Sequence, residues 1–257
     1  MEKKPTTPAA KKPAAEKKQS NGISPALVIP ILFVIGFSIW YFLLGDAANF
    51  EDAEKHKPSN AMGIVYSGGI IVPILITCML TVFVFSIERF ITIGKASGSG
   101  DLDAFVRNVR KMLDSNNIAD AIKACDAQKG SVGNVTKTAL TKYSQLISDT
   151  ELTKEQKLAS LQKEVEESTS LELPMLEKNL VFLSTIASVA TLLGLFGTVL
   201  GMIRSFSKLG EEGGGEAARE LSQGISEALY NTALGIGTSA VAIIMYNVFT
   251  TSIDGIT

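Results

Sequence analysis

The sequence predicts an all-α, polytopic membrane protein with four transmembrane helices and a helical bundle between the second and third. Three observations carry this. The 257 residues are 46% hydrophobic and only 19% charged, with a positive mean hydropathy. Four apolar runs each approach the roughly 20 residues that cross a bilayer at about 1.5 Å rise per residue. The one long polar stretch carries apolar residues at helical spacing rather than strand alternation. The net charge of −2 says little by itself, because the distribution of charge holds the information.

Residues 1–22 are Lys, Pro, Ala and Ser without periodicity, which reads as a disordered basic tail. Its Lys3, Lys4, Lys11, Lys12, Lys17 and Lys18 keep it cytoplasmic under the positive-inside rule. Residues 23–44 form an additional N-terminal span that closes on Trp40 and Tyr41, with Pro30 as an expected kink. A cleaved signal peptide is the competing explanation, but the apolar run exceeds the usual core of about 7–15 residues. Residues 45–63 are read as a periplasmic loop, and 64–89 as span two, ending on Glu88-Arg89. Residues 90–178 are the soluble part. Asp101 caps a helix with the stripe Leu102, Phe105, Val106, Val109, Met112 and Leu113. Ile118, Ala121, Ile122 and Cys125 make a second stripe, ending near Gly130. Val132, Val135, Ala139, Leu140 and Tyr143 make a third. Thr153 and Gln156 fit a capping box. The helix they start is expected to run unbroken through Pro174 into span three, about 50 residues or about 75 Å. Span three is 179–206, a periplasmic loop 207–224, span four 225–250, and a cytoplasmic end 251–257.

The last two spans are unusually rich in small and hydroxyl residues. At heptad spacing, Ser184, Thr191, Thr198 and Ser205 align on one face of span three, beside Ala187, Gly194 and Gly201. Gly197 and Gly201 form a GxxxG pair suited to close helix packing in lipid. Span four repeats both lines, with Ala228, Gly235 and Ala242 small and Thr232 and Ser239 hydroxyl. The competing explanation is that each hydroxyl bonds its own backbone one turn back. Glu227 lies about one turn inside span four. A carboxylate in hydrocarbon is expensive and therefore usually functional, unless it sits at the interface as a first-turn acid. Thr198 and Thr232 fall at a similar depth on antiparallel helices, about 12 Å from the outer end. Asn231, one turn from Glu227, is a candidate hydrogen-bond support.

Gly194-Leu-Phe-Gly-Thr-Val-Leu-Gly201 and Gly224-Ile-Ser-Glu-Ala-Leu-Tyr-Asn-Thr-Ala-Leu-Gly235, closing with Tyr246-Asn247, resemble the paired signature of the MotA/TolQ/ExbB proton-channel family, nearer to ExbB and TolQ than to the flagellar stator. The resemblance covers about residues 65–250. It implies pore-lining roles for Thr198 and Thr232 and a proton-path role for Glu227, with Ser184, Thr191, Asn231 and Ser239 as secondary pore or support residues. Gly194, Gly197, Gly201 and Gly235 pack the helices. Glu88 and Arg89 match an acid–base pair at the cytoplasmic interface, and Glu177 matches an acid preceding span three. The resemblance further implies a homo-pentamer in the bacterial inner membrane around an ExbD/TolR-like single-span protein, which supplies the missing carboxylate. Proton-motive force would then drive motion that a TonB-like protein carries to the outer membrane. A TolQ-like or gliding-type motor is the near alternative, and a non-conducting membrane scaffold the distant one.

The chain departs from that pattern at Thr191 and Val241, where many relatives have proline, and in its extra first span. No nucleophile, metal or nucleotide constellation is visible, so no enzyme activity, cofactor, metal or nucleic-acid partner is expected. His56 lacks a ligand-spaced partner. Gly213-Gly214-Gly215 lacks the Gly-Lys-Ser/Thr of a phosphate loop. Cys78 and Cys125 are expected to be free thiols.

Overall fold

The computed structural model describes residues 24–51, 57–211 and 215–256. The expectations for the tail 1–22, for His56 and for Gly213-Gly214 lie outside these. Nine α-helices follow in chain order among the described residues: α1 Pro25–Ser38, α2 Ala61–Ser67, α3 Ile71–Ala96, α4 Leu102–Asp114, α5 Ile118–Gln128, α6 Gly130–Ser148, α7 Lys154–Glu177, α8 Leu180–Glu211 and α9 Gly215–Asp254. There is no strand among them, only one isolated bridge between Phe50 and Pro58. Among the described residues, four helical stretches are long and apolar enough to cross a membrane: Pro25–Leu44, Ile71–Ala96, one within Lys154–Ser207 and one within Ala218–Asp254. The protein is a multi-pass membrane protein.

Pro30 sits inside α1 without ending it, and a π-helical turn, Ile39–Leu44, continues α1. Gly36 lies against α3 so closely that a Cβ there would come within 3.0 Å of the Pro73 carbonyl oxygen. Trp40 stacks on Tyr66 at 4.6 Å and donates from Nε1 to the Tyr66 carbonyl at 3.2 Å. The first helix is therefore docked at both its middle and its end.

Three boundaries differ from the sequence reading. The second span begins at Ile71, not residue 64, because the chain turns at Gly68-Gly69, where Gly69 has φ +76°. That conformation suits glycine and separates α2 from α3. The rod expected through Pro174 breaks instead at Lys178-Asn179, with Asn179 at φ +69°. Proline within α7 is tolerated, whereas a left-handed residue ends a helix. Finally, the expected loop 207–224 is largely helical, with α8 reaching Glu211 and α9 starting at Gly215. Apolar periodicity marks the lipid-facing length, while helix-forming Glu, Ala, Arg and Leu extend the helix past it. At about 60 Å, the 40 residues of α9 are twice the hydrocarbon thickness.

Helices α4, α5 and α6 follow most of their expected stripes, although Tyr143 of the third is exposed. Phe105, Val109, Ala121, Cys125 and Leu140 form a buried core across α4, α5 and α6. Val106, expected in that stripe, is instead exposed. The Asp101 cap and the Thr153–Gln156 capping box are both formed, the latter through bonds of 2.9 and 3.3 Å. The second core joins α3, α7, α8 and α9 through Phe85, Leu176, Leu183, Ala242 and Phe249.

The two cysteines are free. Burial pushes the Cys125 thiol up, and the neighbouring Asp126 charge adds to this. Alkylation of Cys125 near neutral pH should therefore be slow in the folded protein and become fast in denaturant, because only the thiolate reacts. Equal rates in a labelling time course would show that the α4–α6 core is open. For the membrane core, Gly235→Leu should cost about 1–3 kcal/mol or more by overpacking the α8–α9 seam. A lower Tm in detergent checks it, and an unchanged Tm would refute the close approach.

Candidate functional site

Helices α8 and α9 pack antiparallel, and their small residues set the distance between them. A Cβ at Gly194 would come within 2.9 Å of the Asn231 carbonyl oxygen and 3.1 Å of Gly235 Cα. At Gly201 it would come within 2.7 Å of Ala228 Cβ, and at Gly197 within 2.7 Å of Asn231 Cβ. All four glycines singled out from the sequence therefore lie on one seam. Both helices run unbroken through Thr191 and Val241.

The two hydroxyl lines take different partners. On α9, Thr232 Oγ1 donates to the Gly194 carbonyl at 3.1 Å, and Ser239 Oγ donates to the Ala187 carbonyl. These bonds are heptad-spaced rungs across the seam. On α8, Thr198 Oγ1 donates back to the Leu195 carbonyl at 2.6 Å, Ser184 to Val181 at 3.1 Å and Ser205 to Gly201 at 2.9 Å. Thr191 is exposed, and Ser184 and Thr198 are half-buried. The α8 line flanks the exposed side chains of Leu192, Leu195 and Val199. Thr198 thus lies at the edge of the seam, bonded to its own helix, while Thr232 is held in the seam one helical turn from Thr198.

Glu227 is half-buried, and Gln223 Nε2 donates to its Oε1 at 3.0 Å. Asn231 is 2% exposed and turns its amide to a different element, donating from Nδ2 to the Gly68 carbonyl at 3.1 Å. It pins the α2–α3 turn to α9 and fills the space left by Gly197 and Gly68. Gln223 was not singled out from the sequence, although its position one turn before Glu227 is the signal for such a pair.

The Glu88–Arg89 pair is a second constellation. Arg89 is 1% and Glu88 8% exposed. Arg89 Nε and Nη2 donate to the two Glu88 carboxylate oxygens at 2.7 and 2.5 Å. Arg89 Nη1 also donates to the Leu176 carbonyl at 3.0 Å and the Met175 carbonyl at 3.3 Å. Asn179 Nδ2 donates to Glu88 Oε2 at 3.2 Å, and Thr92 Oγ1 to Oε1 at 3.3 Å. The guanidinium thereby satisfies carbonyls at the end of α7, which a helix terminus leaves without intrahelical partners. Glu177 is exposed at the same end of α7. Asn179, also not foreseen, is the residue that breaks the rod and contacts the pair. Among the described residues, no group of three His, Cys, Asp or Glu side chains is placed to hold a metal.

The family model described as MotA/TolQ/ExbB proton channel family matches residues 128–257. The chain belongs to that family. It is a family of channels, not of enzymes. The match takes in the whole α8–α9 pair. A biopolymer transport protein ExbB-like 3 of Synechocystis sp. is 40% identical over 87 residues, 33% of this chain and 41% of that protein. The Tol-Pal system protein TolQ of Haemophilus influenzae is 40% identical over 77 residues, 30% of this chain and 33% of that protein. The biopolymer transport protein ExbB of Pseudomonas putida is 44% identical over 73 residues, 28% of this chain and 22% of that protein. The chain thus spans less than half the length of these curated relatives.

Breaking a buried ion pair by removing one partner costs about 3–5 kcal/mol, because the other charge stays buried. Arg89→Ala should therefore lower the Tm in detergent strongly and expose the α7–α8 junction to limited proteolysis. Wild-type melting and cleavage would mean that the pair is ornamental to the fold.

Proposed function

We propose that the protein is an ExbB-like proton-channel subunit of an inner-membrane motor, with its N-terminus in the cytoplasm. The observation that carries this is the α8 hydroxyl face. Ser184 and Thr198 bond their own helix and are half-buried, and Thr191 is exposed, in the single chain, so this edge of α8 remains open to a neighbour. A ring of such subunits, five by analogy with the family, presents these hydroxyls to a lumen. A self-satisfied hydroxyl makes weak, repeated contacts with a guest helix, which suits sliding or rotation. Thr232 and Ser239 support that face by holding α9 against α8.

Hydroxyls do not change protonation near neutral pH, so the titrating groups are Glu227 and a carboxylate from an ExbD/TolR-like single-span partner. The soluble α4–α7 bundle hangs on the cytoplasmic side, below Glu88, Arg89 and Glu177. The motion is delivered through a TonB-like protein to transport at the outer membrane. The ExbB and TolQ relatives support the motor reading alike, so a TolQ-like role in envelope integrity is the second reading. A scaffold is the contrary case, because back-bonded hydroxyls also suit plain packing.

With the partner co-expressed, Glu227→Gln and Thr198→Val should assemble normally yet lower proton flux and proton-motive-force-dependent uptake by about tenfold or more, as expected for groups on an intramembrane path. Wild-type flux in both assembled variants would favour the scaffold. Rescue of TonB-dependent uptake rather than detergent resistance, in cells lacking either system, separates the ExbB-like from the TolQ-like role.

A further inference from the structure

A cleft of about 470 Å³ opens between the segment that follows α1 and the start of α9. Glu51 and Lys57 line one wall, and Arg219, Ser222, Gln223 and Ser226 line the other. Gln223 also donates its amide to Glu227, which does not itself line the cleft. We infer that this cleft is a water-filled entrance through which protons from the outer side reach Glu227, separate from the central lumen. The inference rests on the channel reading of Glu227.

Four features support it. At about 30 Å³ per liquid water, the cleft has room for on the order of ten waters. The α9 wall offers two hydroxyls and an amide in consecutive turns, so water finds hydrogen-bond partners as far as Gln223, the side chain bonded to the carboxylate. A hydronium ion that reaches the Gln223–Glu227 contact passes its proton to the Glu227 carboxylate, leaving water and a neutral acid. The charges of both signs at the mouth act through water, where a unit charge about 7 Å away is worth only about RT, too little to bar a proton.

The fourth feature is that the outer wall is built, not merely apposed. Asn49 Nδ2 donates to the Leu43 and Leu44 carbonyls at 2.9 and 3.0 Å. Asn60 Nδ2 donates to Asn49 Oδ1 at 2.9 Å, and Ser59 N donates to the Asn49 carbonyl at 2.9 Å. Asn60 also caps α2. The wall therefore hangs from the end of the first helix, which lies outside the stretch matched by the family model. In this arrangement the first helix holds one side of the entrance in place.

The test uses the full chain with its partner in membranes, in a Cys78→Ser, Cys125→Ser background. Ser222→Cys and Ser226→Cys are each treated with a charged, membrane-impermeant methanethiosulfonate from the outer side, and proton flux is compared before and after. Met62→Cys, exposed on α2 outside the cleft, is the control. Labelling at 222 and 226 should cut flux about tenfold or more, and labelling at 62 should not, because only the former fill a water path. Stoichiometric labelling with flux unchanged, or failure of either cleft position to label, overturns the entrance while leaving the channel standing. No flux in the unlabelled wild type overturns the channel reading and the entrance with it.

Discussion

The backbone approach of α8 and α9 at Gly194 and Gly235 is the contact on which the rest of the membrane core depends. Lipid tails are as apolar as leucine, so two spans gain little from hydrophobic burial against each other. What remains is dispersion between closely packed backbones and hydrogen bonds across the seam. An interhelical side-chain bond in a membrane averages only about 0.6 kcal/mol. The Thr232 and Ser239 rungs therefore contribute about 1 kcal/mol together, while a single methyl group forced into the seam costs about as much or more. Small residues set the distance, and the hydroxyls fix the register once the helices are close. The same packing buries Ser205 against Gly224 of α9 and leaves Ser184, Thr191 and Thr198 at the edge of the seam.

The second span and the α7–α8 junction are joined at one polar knot. Glu88 and Arg89 are adjacent in sequence and almost fully buried, an arrangement that is costly unless every charge finds partners. Here the partners come from both sides of the α7–α8 break: carbonyls of Met175 and Leu176, and the amide of Asn179. The knot thus ties the second span to the end of α7 and the start of α8. A long uninterrupted rod would have needed no such tie. The ion pair bridges the break, bonded both to the end of α7 and to Asn179.

The first helix is attached differently. It buries little of its own surface, but Gly36, Trp40 and the Asn49–Asn60 network hold it at discrete points. Its exposed Leu27, Phe33, Val34 and Phe42 suit lipid contact. Its role is then to position the segment behind it, which reaches over the start of α9.

Much of this was legible in the sequence. The four apolar runs, the soluble stripes, the caps at Asp101 and Thr153, and the glycine line through Gly194 and Gly201 follow from local chemistry and helical periodicity, which any chain of these residues obeys. The division of labour between the two hydroxyl lines was not legible. Thr198 and Thr232 read alike in the sequence, and only the packing of α8 on α9 makes one a rung and leaves the other bonded to its own helix. The helix break at Asn179 rather than Pro174 and the turning of Asn231 to Gly68 belong to the same class. Each depends on which group far along the chain lies within reach of a side chain, and periodicity carries no information about that, whereas the link from Gln223 to Glu227 is a one-turn pair that the spacing already allowed.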